Sequence, residues 1–199
     1  MDPVLNGMQV AIVVTDGFEQ SELTEPKKAL EQAGATTAIV SNKFDKVQGY
    51  NHDQKADEFT VDLLLTEADP MEFHAVLLPG GEINAAQLRN IPEAQRFIQG
   101  IDEEQKPIAV ICHGAWLLVS AGLVEGRTLT SYPTLQDEIR SAGGNWVDQA
   151  AVTEGNLISS RTPDDLPAFS EAMVEAISNK MRAHLRGTPD ENAVGLASS

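Results

Sequence analysis

The chain has 199 residues, 42% of them hydrophobic and 22% charged, which suits one packed soluble domain rather than a disordered or membrane-embedded chain. Thirty acidic residues against fourteen basic ones give a formal charge of −16, which repels phosphate backbones and anionic lipid and excludes nucleic acid and membrane as expected partners. A single cysteine excludes an internal disulfide, so its thiol matters through reactivity or packing.

The opening MDPVLNGMQVAIVVT has no basic start and no apolar run long enough for a signal segment, so a cytoplasmic protein is expected. Residues 8 to 15 form a β-branched run of the kind covered on both faces in a parallel sheet. In SELTEPKKALEQAG, Leu23, Ala29, Leu30 and Ala33 make the apolar stripe of a helix stopped by Gly34, with Pro26 placed near its first turn. Residues 36 to 41 give a second strand. Residues 42 to 74 are irregular, with short extended pieces at VQGY and FTVDLLL. HAVLLPGG is a buried strand broken at Pro79, Gly80 and Gly81, and helical material interrupted near Pro92 follows.

KPIAVICHGAWLLVSAG passes from strand to helix at Cys112. Beyond it TLTSYP is a short strand, TLQDEIRSAGG a helix, and VTEGNLISS two strands turning at Glu154 to Asn156. A last helix opens with Thr162 as N-cap and Pro163 at its first position and repeats Phe169, Met173, Val174 and Ile177 on one face. Residues 1–185 are expected to form the single domain and 186–199 a mobile tail. Strands alternating with helices predict a layered sheet with helices on both faces, whose ligands sit at the carboxyl ends of the strands.

Three features fall at that edge. Cys112 occupies a sharp strand-to-helix turn that exposes a nucleophile above a helix N-terminus, a setting that favours the thiolate and predicts a lowered thiol pKa. Gly80 and Gly81 make a turn whose backbone N–H groups can meet an anion, and the N–H groups of Gly81 and His113 are the expected oxyanion hole. The loop after the first strand carries Glu19, Glu22 and Glu25, any one of which can donate a hydrogen bond to the thiolate as a buried acid. Spacing does not choose among the three. His113 follows the nucleophile directly, although neighbours at a sharp turn usually point apart. His74 and His184 are explained by their places at a strand start and a helix end, and His52, beside Tyr50 and Asp53, is a candidate for the pocket rim. No metal or cofactor is expected.

The ordered segments AIVVTDGFEQSELTEP, AVLLPGG, KPIAVICHGAWLLVSAGLVEGRTLTSYP and LISSRTPDDLPAF resemble the PfpI family of intracellular peptidases and protein deglycases, within the glutamine amidotransferase-like superfamily. The resemblance runs from about Gln9 to Ile177. It implies a flavodoxin-like three-layer sandwich with a mainly parallel sheet, a nucleophile-elbow cysteine, a homodimer that builds higher assemblies, and a stress-protective role. It also implies that Glu22, four residues before Pro26, is the acid bonded to the cysteine, with Glu19 at a second acidic position and Arg161 near the pocket. The family's peptidases complete the site with a glutamate shortly after LPGG from a neighbouring subunit; the aligned residue here is Ala85, and Glu82 lies in a different register.

The expected function is therefore cysteine-dependent chemistry on reactive carbonyls or glycated adducts, with Cys112 adding to the carbonyl and Glu22 exchanging a proton. A PfpI-type peptidase acting on peptides through Cys112 and His113 is the alternative, and oxidation of Cys112 as a redox sensor is a third reading.

Overall fold

The computed structural model describes residues 4–187. In chain order its regular elements are β1 (Gln9–Val13), β2 (Phe18–Glu19), α1 (Gln20–Gln32), β3 (Thr36–Ser41), β4 (Lys46–Asn51), β5 (Gln54–Thr60), β6 (Leu63–Leu64), β7 (Ala75–Leu78) and α2 (Glu82–Leu88). There follow α3 (Pro92–Glu103), β8 (Ile108–Ile111), α4 (Ala115–Ser120), β9 (Thr128–Leu129), α5 (Gln136–Ser141), β10 (Asn145–Trp146), β11 (Ala151–Glu154), β12 (Leu157–Ser160) and α6 (Leu166–Gly187).

The main sheet has the order β11-β12-β8-β7-β1-β3-β6, and every pairing in it is parallel except that of the edge strand β11 with β12. Alternation along each strand distributes its side chains between two cores. Ala11, Val13, Val76, Leu78, Ile108 and Val110 face α2 to α5. Val10, Ile12, Ala75, Leu77, Ala109 and Ile111 face α1 and α6. Residues such as Ile12, Leu77 and Ile111 are wholly shielded, and each such burial stabilises the fold by about 1.5–3 kcal/mol. The result is the three-layer α/β sandwich with a mainly parallel sheet that the sequence predicts. No described helix is long and apolar enough to cross a membrane.

Several boundaries differ from expectation. The irregular stretch contains a hairpin, β4 with β5, attached through β2; its polar, half-exposed strands lack the apolar alternation that announces a strand. Pro26 lies in the interior of α1 and is buried, where it cannot donate to the Glu22 carbonyl four residues earlier. Thr162 precedes a 3₁₀ turn, Pro163–Asp165, and its side chain makes no cap bond; the α-helix starts at Leu166. That helix continues through Arg186 and Gly187, and the remainder of the expected tail, 188–199, lies outside the described residues.

Candidate active site

Strand β8 delivers Cys112 to the carboxyl edge of the sheet, between β7 and β12. The cysteine adopts φ +61°, a left-handed conformation that costs an L-residue about 1–2 kcal/mol. The residues around it explain how the turn is held. Gly114 packs where a Cβ would come within 2.7 Å of the Leu78 carbonyl oxygen, and the Cys112 carbonyl accepts the Tyr132 N–H at 3.2 Å. Cys112 is 7% exposed, so the sulfur is covered rather than presented openly.

The glycine turn after β7 closes against this cysteine. The Gly80 N–H donates to Glu22 Oε2 at 2.7 Å, and a Cβ on Gly80 would lie 2.5 Å from that oxygen and 2.7 Å from the cysteine Cβ. Gly81 has φ +88° and lies against the Gly17–Glu19 backbone. Asn84, fully buried, fixes the turn: its Nδ2 donates to the Pro79 and Gly80 carbonyls at 3.2 and 3.0 Å, and its Oδ1 accepts the Thr15 N–H at 2.8 Å. Asn84 was not legible as a site residue, because an asparagine early in a helix has many commoner explanations.

Glu22, on α1, is the glutamate that lies beside the thiol. It is wholly buried. Oε2 accepts from Gly80, whereas Oε1 is buried without a hydrogen-bond partner among the described residues, and the Cys112 thiol is the neighbouring side chain that acts on the carboxyl. Burial, with help from the nearby Glu19 charge, outweighs the Gly80 bond and pushes the Glu22 pKa up to about 8. At neutral pH the side chain is accordingly a carboxylic acid. Glu19 points elsewhere: Oε2 accepts the His52 N–H at 3.0 Å. Glu25 is absent from these contacts.

The expected lowering of the thiol pKa is not what the site produces. Burial is the largest influence and pushes the Cys112 thiol up, negative charge on Glu22 pushes in the same direction, and the N–H groups of His113 and Gly81 oppose both. The sequence reading gave weight to the helix N-terminus and overlooked how completely the sulfur is enclosed. The N–H groups of Gly81 and His113 both act on the sulfur.

His113 turns back toward the cysteine despite its adjacency: Nδ1 lies 3.3 Å from Sγ. Its ring is clamped between Tyr132, stacked with centroids 4.4 Å apart, and Trp116 at 5.1 Å. Trp116 Nε1 in turn donates to Glu138 at 2.8 Å. Burial lowers the His113 pKa, opposed by the Glu82 charge, so the ring is neutral and able to accept a proton at neutral pH. Ala85 is buried within α2, leaving Glu82 as the acid that acts on His113 within this chain. Tyr132 and Trp116 were missed from the sequence, since aromatic residues near a turn are usually core.

Two candidates stand apart. The His52 side chain, at the tip of the β4–β5 hairpin, is 85% exposed and touches the site only through Glu19. Arg161 does follow β12 at the correct sheet edge, but Nε and Nη2 bind Asp165 at 2.8 and 2.9 Å and Nη1 binds Asp148 at 2.9 Å. These ion pairs occupy the guanidinium. Among the described residues, no group of three His, Cys, Asp or Glu side chains is arranged to hold a metal ion.

Comparison with known proteins gives a consistent result. The profile of the DJ-1/PfpI family matches residues 8–176. A protein of Thermococcus kodakarensis named as a deglycase is 37% identical over 171 residues, spanning 85% of this chain and 99% of the relative. YraA of Bacillus subtilis, whose name proposes a cysteine protease, is 34% identical over 162 residues, covering 81% of this chain and 94% of its own. Among solved structures, a ThiJ/PfpI domain protein of Brachyspira murdochii superposes with a TM-score of 0.80 at 25% identity, covering 87% of this chain and 98% of that one.

Proposed function

This chain belongs to the DJ-1/PfpI family, and from that premise we propose that it is a cysteine-dependent hydrolase or lyase acting on reactive carbonyls or glycated adducts. The observation that carries this reading is the enclosure of one sulfur by a protonated acid and two backbone donors: Glu22, Gly81 and His113 all act on Cys112. That set suits addition of a thiol to a carbonyl. Sγ bonds to the carbonyl carbon, the C=O π electrons move onto oxygen, the N–H groups steady the developing charge, and Glu22 gives its proton to that oxygen. The thiol proton replaces the one Glu22 has lost, so the acid is restored and the net reaction is addition of S–H across C=O.

The resting sulfur keeps its proton in this scheme. Activation therefore accompanies substrate entry, which suits a site where a free thiolate is disfavoured by burial. The name of the Thermococcus relative supports the choice of glycated substrates. A homodimer is part of the proposal on the strength of the family resemblance, and light scattering showing only a 21.4 kDa monomer would remove it.

A peptidase is the second reading, favoured by the 3.3 Å approach of His113 Nδ1 to Sγ. Here the imidazole takes the thiol proton before attack. A panel of glyoxal, methylglyoxal, methylglyoxal-modified amino acids and a fluorogenic peptide, run with wild type and Cys112→Ser, separates the readings. Turnover of carbonyl substrates that disappears in Cys112→Ser supports the first. Peptide cleavage with no carbonyl turnover replaces it with the second.

A further inference from the structure

A cleft of about 590 Å³ opens at the other end of the sheet, beneath the amino ends of β1, β7 and β8. Met8 precedes β1, His74 precedes β7 and Lys106 lies just before β8, while one face of α6 supplies Ile177, Lys180 and Met181. The spacing 177, 180, 181 places those three on one side of the helix. Met71, 61% exposed, joins Met8 and Met181 as an unbranched, adaptable side chain in the lining.

The charge of this cleft runs against that of the chain. In a protein with 30 carboxylates and 14 basic side chains, neither Lys106 nor Lys180 has a carboxylate within 4.0 Å among the described residues. Lys106 Nζ is spent instead on the uncharged carbonyls of Pro70 and Met71, at 2.9 and 3.5 Å. Burial holds its ammonium below the ordinary pKa; the charges of Glu104 and Asp69 oppose that shift, and the neighbouring Lys180 adds a smaller push in the same direction as burial. His74 has a fixed role as well: its Nδ1 accepts the Gln9 N–H at 2.9 Å, so in the neutral ring Nε2 carries the hydrogen and is a donor. Two ammonium groups and a ring N–H thus border a methionine-lined hollow with one lining carboxylate, Glu104.

We infer that this cleft is a second binding site, separate from Cys112, for a small amphipathic carboxylate, whose head group meets Lys106, Lys180 and His74 and whose hydrocarbon part lies on Met8, Met71 and Met181. A carboxylate supplies the anionic partner that neither ammonium has within 4.0 Å among the described residues, and an aliphatic chain covers the methionines. An inorganic anion would leave the apolar lining wet, and an uncharged lipid would leave the lysines unpaired.

Decanoate is the test ligand, added to the full chain carrying ¹³C-methyl methionine. Saturable shifts of the Met8, Met71 and Met181 methyls are expected, with Met173, fully buried and outside the cleft lining, moving least. Decanol should bind about tenfold more weakly, as should decanoate to Lys106→Gln/Lys180→Gln. Lys180→Gln alone, which spares the Lys106 bonds to the 70–71 backbone, should weaken binding several-fold. Cys112→Ser should bind as wild type does, so failure of the carbonyl chemistry leaves this result standing. The inference is overturned if decanoate produces no saturable shift, if decanol binds as tightly, if both lysine variants bind normally, or if Cys112→Ser abolishes binding.

Discussion

Replacing Glu22 by glutamine should change the pH dependence of stability in a direction fixed by the site. The substitution keeps the shape of the side chain, an oxygen to accept from Gly80 and a donor toward sulfur, while removing ionisation. In wild type the folded carboxyl titrates near 8, against 4.5 for the ordinary group. Between those values the folded protein holds a proton that the unfolded chain has released, so wild-type stability carries Glu22's full contribution below about pH 4.5 and loses it as pH rises through about 8. At roughly 1.4 kcal/mol per pH unit, about 3 kcal/mol is lost by pH 7. The other carboxylates titrate in both proteins and cancel. Urea unfolding at intervals from pH 4.5 to 9 should therefore show Glu22→Gln gaining on wild type by about that amount at neutrality, with the difference levelling above pH 8. A difference independent of pH would refute the protonated acid. A difference of opposite sign would show that the site stabilises the carboxylate.

Gly80→Ala places a methyl 2.5 Å from Glu22 Oε2 and 2.7 Å from the Cys112 Cβ; it should cost on the order of 1–3 kcal/mol by denaturant unfolding and abolish carbonyl turnover in the protein that still folds. The rate of Cys112 alkylation by iodoacetamide should climb with pH and show no inflection below the free-thiol value of about 8.5, and Glu22→Gln should move that inflection down by removing the negative charge that disfavours the thiolate; a plateau reached near pH 6 would contradict the burial argument. Tyr132→Ala removes one wall of the His113 clamp and, if the histidine assists catalysis, should raise the KM and lower the kcat of carbonyl turnover by less than His113→Ala does, while a larger effect would assign Tyr132 a role of its own.

The parallel core was readable because its strands advertise themselves. AVLL and IAVI, both buried along their whole length, are continuous apolar runs of the kind that a two-faced sheet requires. The turn residues were readable in type, since Gly80, Gly81 and Cys112 sit where strands end. What stayed hidden is set by three-dimensional closure. No local pattern says that Oε1 of Glu22 is sealed from water, that His113 folds back over its neighbour, or that Tyr132, 19 positions along, stacks on that ring. The β4–β5 hairpin escaped for a related reason: its apolar anchors are only Val47 and Phe59, the latter against Phe18, and much of its attachment is polar, through Gln20, whose amide exchanges two 2.8 Å bonds with Asp57. Arg161 shows the converse, a correct position at the sheet edge whose charge is already committed to Asp148 and Asp165.

The most direct test of the proposed chemistry is the order in which two substitutions beside the same sulfur reduce carbonyl turnover. Glu22→Gln removes proton exchange while preserving hydrogen bonding, and kcat should fall by about 10²- to 10⁴-fold in a protein whose fold survives. His113→Ala retains the backbone N–H that faces the sulfur and should cost less. Measured side by side on methylglyoxal, a larger loss in Glu22→Gln is the result predicted here; a larger loss in folded His113→Ala would assign proton transfer to the 3.3 Å Cys112–His113 contact and contradict the role given to Glu22.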